Sequence, residues 1–234
     1  MGRAVGERVA AVRRRIAAAC ARCGRRPESV TLVAASKGQP PDKLLAAWGA
    51  GVRVFGENRV QEAAAKQPAL PPTAEWHLLG PLQSNKVRAA VELFVTIHSL
   101  DREKIVRALD REAARRGVAR QGFIEVNVGE EPSKHGFAPA GLIAALRPLA
   151  GLAALRLVGL MAIPPYSEDP EGARPWFRRL AGLRDELRAL PGWRDFPGLL
   201  SMGMSHDFEV AIEEGATHVR VGTELFGPRD AATA

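Results

Sequence analysis

The sequence predicts an α/β fold of the (β/α)8 type, a TIM barrel carrying an extra N-terminal helix. Three observations lead there. Eight short segments rich in β-formers alternate with helical patterns, as in parallel α/β folds. The first of them is not followed by G-x-G-x-x-G, which removes the main support for an open dinucleotide-binding sheet. No low-complexity linker or internal repeat divides the 234 residues, so one domain over 1–234 is expected, with residues 1–25 forming a helix packed on the barrel.

The elements follow in order. Val5 to Ala21 has helical periodicity, and the first strand is Thr31–Ser36, an apolar run closed by the breakers Gly38, Pro40 and Pro41. Further strands are expected at Val52–Phe55, Glu75–Leu79, Phe94–His98, Phe123–Val128, Leu155–Met161, Leu199–Ser201 and Thr217–Val221. Between them lie helical patterns at Asp42–Trp48, Arg59–Lys66, Asn85–Val91, Arg102–Arg116, Ala140–Leu149, Glu171–Leu190 and Phe208–Glu214.

Composition narrows the function classes. Hydrophobic residues make up 46%, enough for a sizeable core, and no stretch is long and uncharged enough to cross a bilayer. The N-terminus shows no secretory h-region, and a cytoplasmic protein is expected. The net charge of +7 is spread over Arg13-Arg14-Arg15, Arg115-Arg116 and Arg178-Arg179, each inside a helical pattern. With no aromatic interleaving and no zinc-finger signature, these read as solvated helix faces, and no nucleic-acid partner is expected. The only cysteines, Cys20 and Cys23, sit near a helix C-terminus, the wrong end for a reactive thiolate, and lack further metal ligands. They read as ordinary thiols.

In such a barrel the active site lies at the C-terminal strand ends. Those ends supply Lys37, Asn58, His77, His98, Asn127, Met161, Ser201 with Ser205, and Arg220 with Gly222 and Thr223. Lys37, at the mouth of the first strand, is expected to be partly stripped of water. An amine there can form a Schiff base with an aldehyde. Ser201-Met-Gly-Met-Ser205 follows the seventh strand, and Ser205 is placed to N-cap the helix near Phe208. Val221-Gly222-Thr223 follows the eighth strand and opens a short helical turn. Backbone N–H groups there, flanked by small residues, form an anion cradle where barrels of this kind bind phosphate.

An imine-forming lysine together with a phosphate cradle points to pyridoxal 5′-phosphate (PLP). Arg220 is placed to face its pyridine nitrogen, which a guanidinium would leave unprotonated. The alternative for Arg220 is a surface salt bridge with Glu213 or Glu224. Asn58 either hydrogen-bonds ring substituents or caps the following helix. His77 and His98 either line the pocket or are structural. Met161 packs under the ring, and Lys134 is a loop charge or part of a lid.

These segments resemble the pyridoxal-phosphate homeostasis protein family, whose fold is like the N-terminal barrel of bacterial alanine racemases. The resemblance rests on Val33-Ala-Ala-Ser-Lys37, Phe55-Gly-Glu-Asn58, Val60-Gln-Glu62, Trp76-His-Leu-Leu-Gly-Pro-Leu-Gln-Ser-Asn-Lys86, Gly159-Leu-Met-Ala-Ile163, Leu200-Ser-Met-Gly-Met-Ser205, Val219-Arg-Val-Gly-Thr223 and Phe226-Gly227, almost the whole chain. It implies a fold-type-III PLP-binding barrel with Lys37 as the Schiff-base lysine. Ser205, Gly222 and Thr223 would hold the phosphate, Arg220 would face the pyridine nitrogen, and Asn58, Met161 and Ser201 would line the pocket. Many relatives carry tyrosine after Gly-Glu-Asn, where this chain has Arg59.

The resemblance also bears on turnover. A two-base racemase needs a second acid/base opposite the lysine, in alanine racemases a tyrosine from an extra C-terminal domain. The only tyrosine here, Tyr166, falls in a proline-rich loop, and the chain ends soon after the eighth strand. The expectation is a monomeric carrier that stores, buffers or delivers PLP, with PLP-dependent apoenzymes as recipients. The alternatives are an amino-acid racemase of fold type III and a lysine aldolase without PLP. Lys86 and Lys134 are the candidates for a second, transient site.

Overall fold

Eight parallel strands close into a ring, each paired with its successor and the last with the first. The computed structural model describes residues 2–228; Met1 and residues 229–234, part of the domain expected over 1–234, lie outside the described residues. The chain runs α1 (Gly2–Arg22), β1 (Thr31–Ala35), α2 (Pro41–Gly49), β2 (Val54–Glu57), α3 (Val60–Lys66), β3 (Glu75–Leu78), α4 (Val87–Leu93) and β4 (Thr96–Leu100). It continues with α5 (Glu103–Arg116), β5 (Arg120–Glu125), α6 (Leu142–Leu146), β6 (Leu155–Met161), α7 (Arg174–Arg188), β7 (Leu199–Met204), α8 (Phe208–Glu213), β8 (His218–Val221) and α9 (Thr223–Phe226). The expected barrel and N-terminal helix are both present.

Helix α1 buries Val5, Val9, Val12, Ile16, Ala19 and Cys20, a spacing that puts all six on one face. That face packs on α2, α8 and α9, across the seam where the ring closes. Each buried large aliphatic side chain there contributes about 1.5–3 kcal/mol. Cys20 is fully buried, and burial pushes its thiol upward in pKa, as expected of an inert thiol.

Strand β6 has the expected bounds, but others are shifted. β2 starts at Val54 rather than Val52, and β4 spans Thr96–Leu100 rather than Phe94–His98. β5 begins at Arg120, because Gln121 and Gly122 pair with β4 although they read as loop residues. The shift along β4 matters for the site. It puts His98 in mid-strand and so inside the barrel, well short of the rim.

Two cores result. The larger lies between strands and helices. A smaller one fills the barrel itself with Phe123, Val158 and Met161. Phe123 stacks on the His98 ring at 4.5 Å and meets the His218 ring edge-on at 5.0 Å. Since alternate strand residues share a face, Phe123 facing inward brings Glu125 inward as well, at the mouth.

Candidate functional site

Lys37 stands just past the last ladder residue of β1, between buried Ser36 and half-buried Gly38. Its side chain is exposed, which corrects the expectation of partial desolvation. The ladder ends at Ala35, and Lys37 follows it two residues on, exposed at that end of the strand. Gly38, at a φ of 66°, turns the chain away immediately afterwards.

Ring closure sets β8 beside β1, with Val33 opposite Arg220 and Ala34 opposite Val221. The segment after β8 therefore lies next to the segment carrying Lys37. Gly222 N–H donates to Ser205 Oγ at 3.3 Å, bridging the loops after β7 and β8. Ser205 thus does not cap α8; the N-cap position belongs to Asp207, whose Oδ1 accepts from Met204 N–H at 2.7 Å. A Cβ at Gly222 would lie 3.0 Å from the Ala35 carbonyl oxygen, so a bare backbone suits this turn. Thr223 is exposed at the first position of α9.

Arg220 points inward and is almost fully buried, at 6% exposure. It makes no salt bridge among the described residues: Glu213 pairs with Arg22 and Arg174, and Glu224 with Arg15. Its guanidinium donates to Ser201 Oγ at 2.7 Å and to the Ala162 carbonyl at 3.0 Å. Burial lowers its pKa to about 10, against the pull of Asp207 and Glu125. It remains a cation at neutral pH.

A polar column descends from that guanidinium. Ser201 Oγ lies 2.7 Å from His98 Nδ1, and His98 Nε2 lies 2.9 Å from His77 Nδ1. With both rings neutral, one arrangement satisfies every contact: Ser201 Oγ accepts from Arg220 and donates to His98 Nδ1, and His98 Nε2–H donates to His77 Nδ1. Burial lowers His77 to about 3 and His98 well below its ordinary value, and it lowers His218 beside them to about 4. His77 is thus within the barrel, at 4% exposure and two residues of the column away from Arg220. This geometry supports its structural alternative over a place at the rim.

Asn58 is half-buried after β2, and the N-cap of α3 is Arg59 without a side-chain bond, so Asn58 does not cap that helix. Met161 is buried at the end of β6 against Phe123. Lys134 is tied down by Glu131 and the Pro164 carbonyl. Lys86 and Arg59 line an open cavity of about 390 Å³ beside Asn58. The residue reading missed Glu125. It faces the mouth near Arg220, and burial and Asp101 raise its carboxyl to about 7. A charged residue in the inward phase of an apolar strand was the available signal, hidden because β5 ends at Glu125, three residues short of the expected Val128, which moves the expected strand end to Asn127.

A closed parallel barrel with a strand-end lysine and a Ser–Gly bridged turn at the neighbouring strand end fits the class of alanine racemase N-terminal barrels. The model of that domain, "Alanine racemase, N-terminal domain", matches residues 8–230. A pyridoxal phosphate homeostasis protein of Aquifex aeolicus is 46% identical over 229 residues, covering 95% of this chain and 97% of that protein. The structure of PipY from Synechococcus elongatus with PLP bound superposes with a TM-score of 0.82 at 40% identity, covering 95% of this chain and all of that one. Alanine racemase from Corynebacterium glutamicum shares the fold alone, with a TM-score of 0.73 at 14% identity over 97% of this chain and 62% of its own. The chain belongs to the pyridoxal phosphate homeostasis protein family.

Proposed function

We propose that this protein binds PLP through a Schiff base at Lys37 and serves in intracellular PLP homeostasis, by storage, buffering or delivery, without substantial turnover. The observation that carries the reading is the Ser205–Gly222 bridge between the loops after the last two strands, beside β1 and the exposed Lys37, which supports an anion-binding turn there. It is supported by the PLP bound in PipY and by the names of the curated relatives. The mouth's donor set fits such a molecule: an amine, a turn that a Cβ would crowd, and a buried guanidinium without an ion pair.

When bound, PLP supplies an aldehyde for the amine and a conjugated ring that can take up electrons. Ser205, Gly222 and Thr223 hold its phosphate. Arg220 faces the pyridine nitrogen as a hydrogen-bond donor that does not readily give up its proton, and so leaves that nitrogen unprotonated. The column through Ser201 and His98 keeps that guanidinium oriented. Asn58 and Met161 line the pocket, and His77 supports it from below. This arrangement retains the cofactor while weakening the ring as an electron sink, which suits a carrier. The single tyrosine, Tyr166, is 83% exposed in the loop after β6. We further propose one domain over residues 1–234, a monomer in the cytoplasm, and PLP-dependent apoenzymes as recipients. No described helix is long and apolar enough to cross a membrane.

The test is the visible spectrum of the purified protein with PLP, followed by borohydride reduction and peptide mapping. The expected result is a Schiff-base absorbance band, a tag on the peptide containing Lys37, and loss of both in Lys37→Ala. A colourless protein with no tag there overturns the binding reading. Loss of optical activity of L-alanine in proportion to added protein overturns the absence of turnover.

A further inference from the structure

Directly behind Lys37 lies a buried ionic cluster that the site described above does not use. Lys66 of α3 is 8% exposed at its side chain, and all three of its N–H groups are taken at 2.7 Å: by the Ser36 carbonyl, Glu57 Oε1 and Glu62 Oε1. Glu57, wholly buried at the end of β2, also accepts from Ser36 Oγ at 2.6 Å. Glu62 Oε1 also accepts from Gly38 N–H at 2.6 Å. The residue before Lys37 and the residue after it are therefore held by one cluster, through three bonds from separate groups.

Stability is a poor explanation for this arrangement. A buried ammonium among carboxylates rarely outdoes apolar packing of the same volume. Here Glu57 Oε2 is buried with no partner, and burial pushes the Glu57 carboxyl upward in pKa. What the cluster specifies is conformation. An exposed lysine on a free loop would sweep many directions, and holding a reacting group in place saves much of that entropy. We propose that Glu62, Lys66 and Glu57 form a positioning clamp that fixes the backbone on both sides of Lys37 and so sets how fast its amine captures an aldehyde. The clamp rests on the reading of Lys37 as the Schiff-base lysine. Its three members touch no ligand themselves, so they are positioning residues.

The deciding variant is Glu62→Ala, since Glu62 is partly exposed and its loss leaves the barrel core intact. Three quantities are read in Glu62→Ala and again in Glu62→Gln: the rate of appearance of the visible band with PLP, competition by inorganic phosphate, and hydrogen–deuterium exchange of the peptide spanning residues 36–39 in the PLP-free protein. Expected are capture slowed by about tenfold or more in Glu62→Ala, phosphate competition unchanged, and faster exchange over residues 36–39. Glu62→Gln keeps an oxygen acceptor for Gly38 and Lys66 and should stay within about threefold of the parent. Wild-type capture with wild-type exchange in Glu62→Ala overturns the clamp. So does an equal loss of phosphate competition, which signals general loosening of the mouth, and so does a glutamine variant as slow as alanine. If Glu62→Ala fails to fold, Ser36→Ala removes the hydroxyl bond to Glu57 on the opposite side, leaving the carbonyl bond to Lys66, without losing charge. It should slow capture to the same degree, and a wild-type rate there overturns the proposal. A parent protein that never develops the band refutes the Lys37 reading instead, and the exchange comparison still decides the clamp.

Discussion

The neutral histidines inside the barrel make its stability depend on acid in a way that one substitution isolates. His218 is half-buried at the start of β8, with its Nδ1 2.9 Å from Thr217 Oγ1 and its ring against Phe123, His98 and His77. Arg220, two residues on, is a cation that acts on it. Folding lowers the His218 pKa from 6.5 to about 4, first through burial and then through Arg220. Between those values the unfolded chain holds a proton that the folded one does not, so stability falls as pH drops below about 6.5. At about pH 5 the unfolded ring favours its proton about thirtyfold, which amounts to about 2 kcal/mol lost relative to about pH 7.5. His77 and His98 act with the same sign. Glu125, raised to about 7, acts with the opposite sign, as do Glu57 and Asp207, whose carboxyls burial also raises. The carboxyl contributions and the burial shifts of His77 and His98 cancel when the parent is compared with His218→Asn, which keeps a hydrogen-bonding side chain beside Thr217; the smaller effect of His218 on the two other rings belongs to the difference that is read. Urea unfolding at the two pH values, followed by tryptophan fluorescence, should give the parent an acid-induced loss about 2 kcal/mol larger than that of the variant. Equal losses would show that His218 titrates in the folded barrel as it does in the unfolded chain, and the account of a dry, neutral interior would fall.

Two further outcomes follow from single contacts. In Gly80→Ala the new Cβ would sit 2.4 Å from the Asn58 carbonyl oxygen, against backbone that cannot swing aside. A loss of about 1–3 kcal/mol is expected in urea unfolding, and an unchanged midpoint would mean that the two loops are not in contact. Ser205→Ala removes the acceptor for Gly222 N–H. PLP affinity measured by fluorescence titration should weaken about five- to tenfold, equivalent to about 1 kcal/mol, while urea stability of the PLP-free protein changes little; undiminished affinity would remove Ser205 from the cradle.

The alternation of strand and helix was legible because parallel barrel strands are short, apolar and bounded by breakers, and β6 shows this at both ends. Boundaries failed where a strand starts on polar residues. Arg120 and Gln121 give no β signal of their own and belong to β5 only because β4 and β6 lie alongside. The strand-end residues Lys37, Arg220 and Gly222 were legible as chemistry, since position along a barrel strand decides which end they reach. The histidine column was not, because the sequence shows His77 and His98 only as isolated polar residues in apolar runs. Their contact depends on the register of two strands and on Ser201, more than a hundred residues away from His98. The Glu62–Lys66 spacing fits a surface ion pair one helical turn apart. Nothing local says that α3 turns this pair toward β1 and buries it.

The bond between the first strand and the last has a consequence for synthesis. Lys37 is translated long before Gly222, and the two segments meet only when Thr31 to Ala34 align with His218 to Val221. On the proposed reading, a nascent chain still lacking β8 holds half a site and has no grip on the vitamin. Ligand capture is in this sense a report that the ring has shut, and any molecule seated there opposes its reopening.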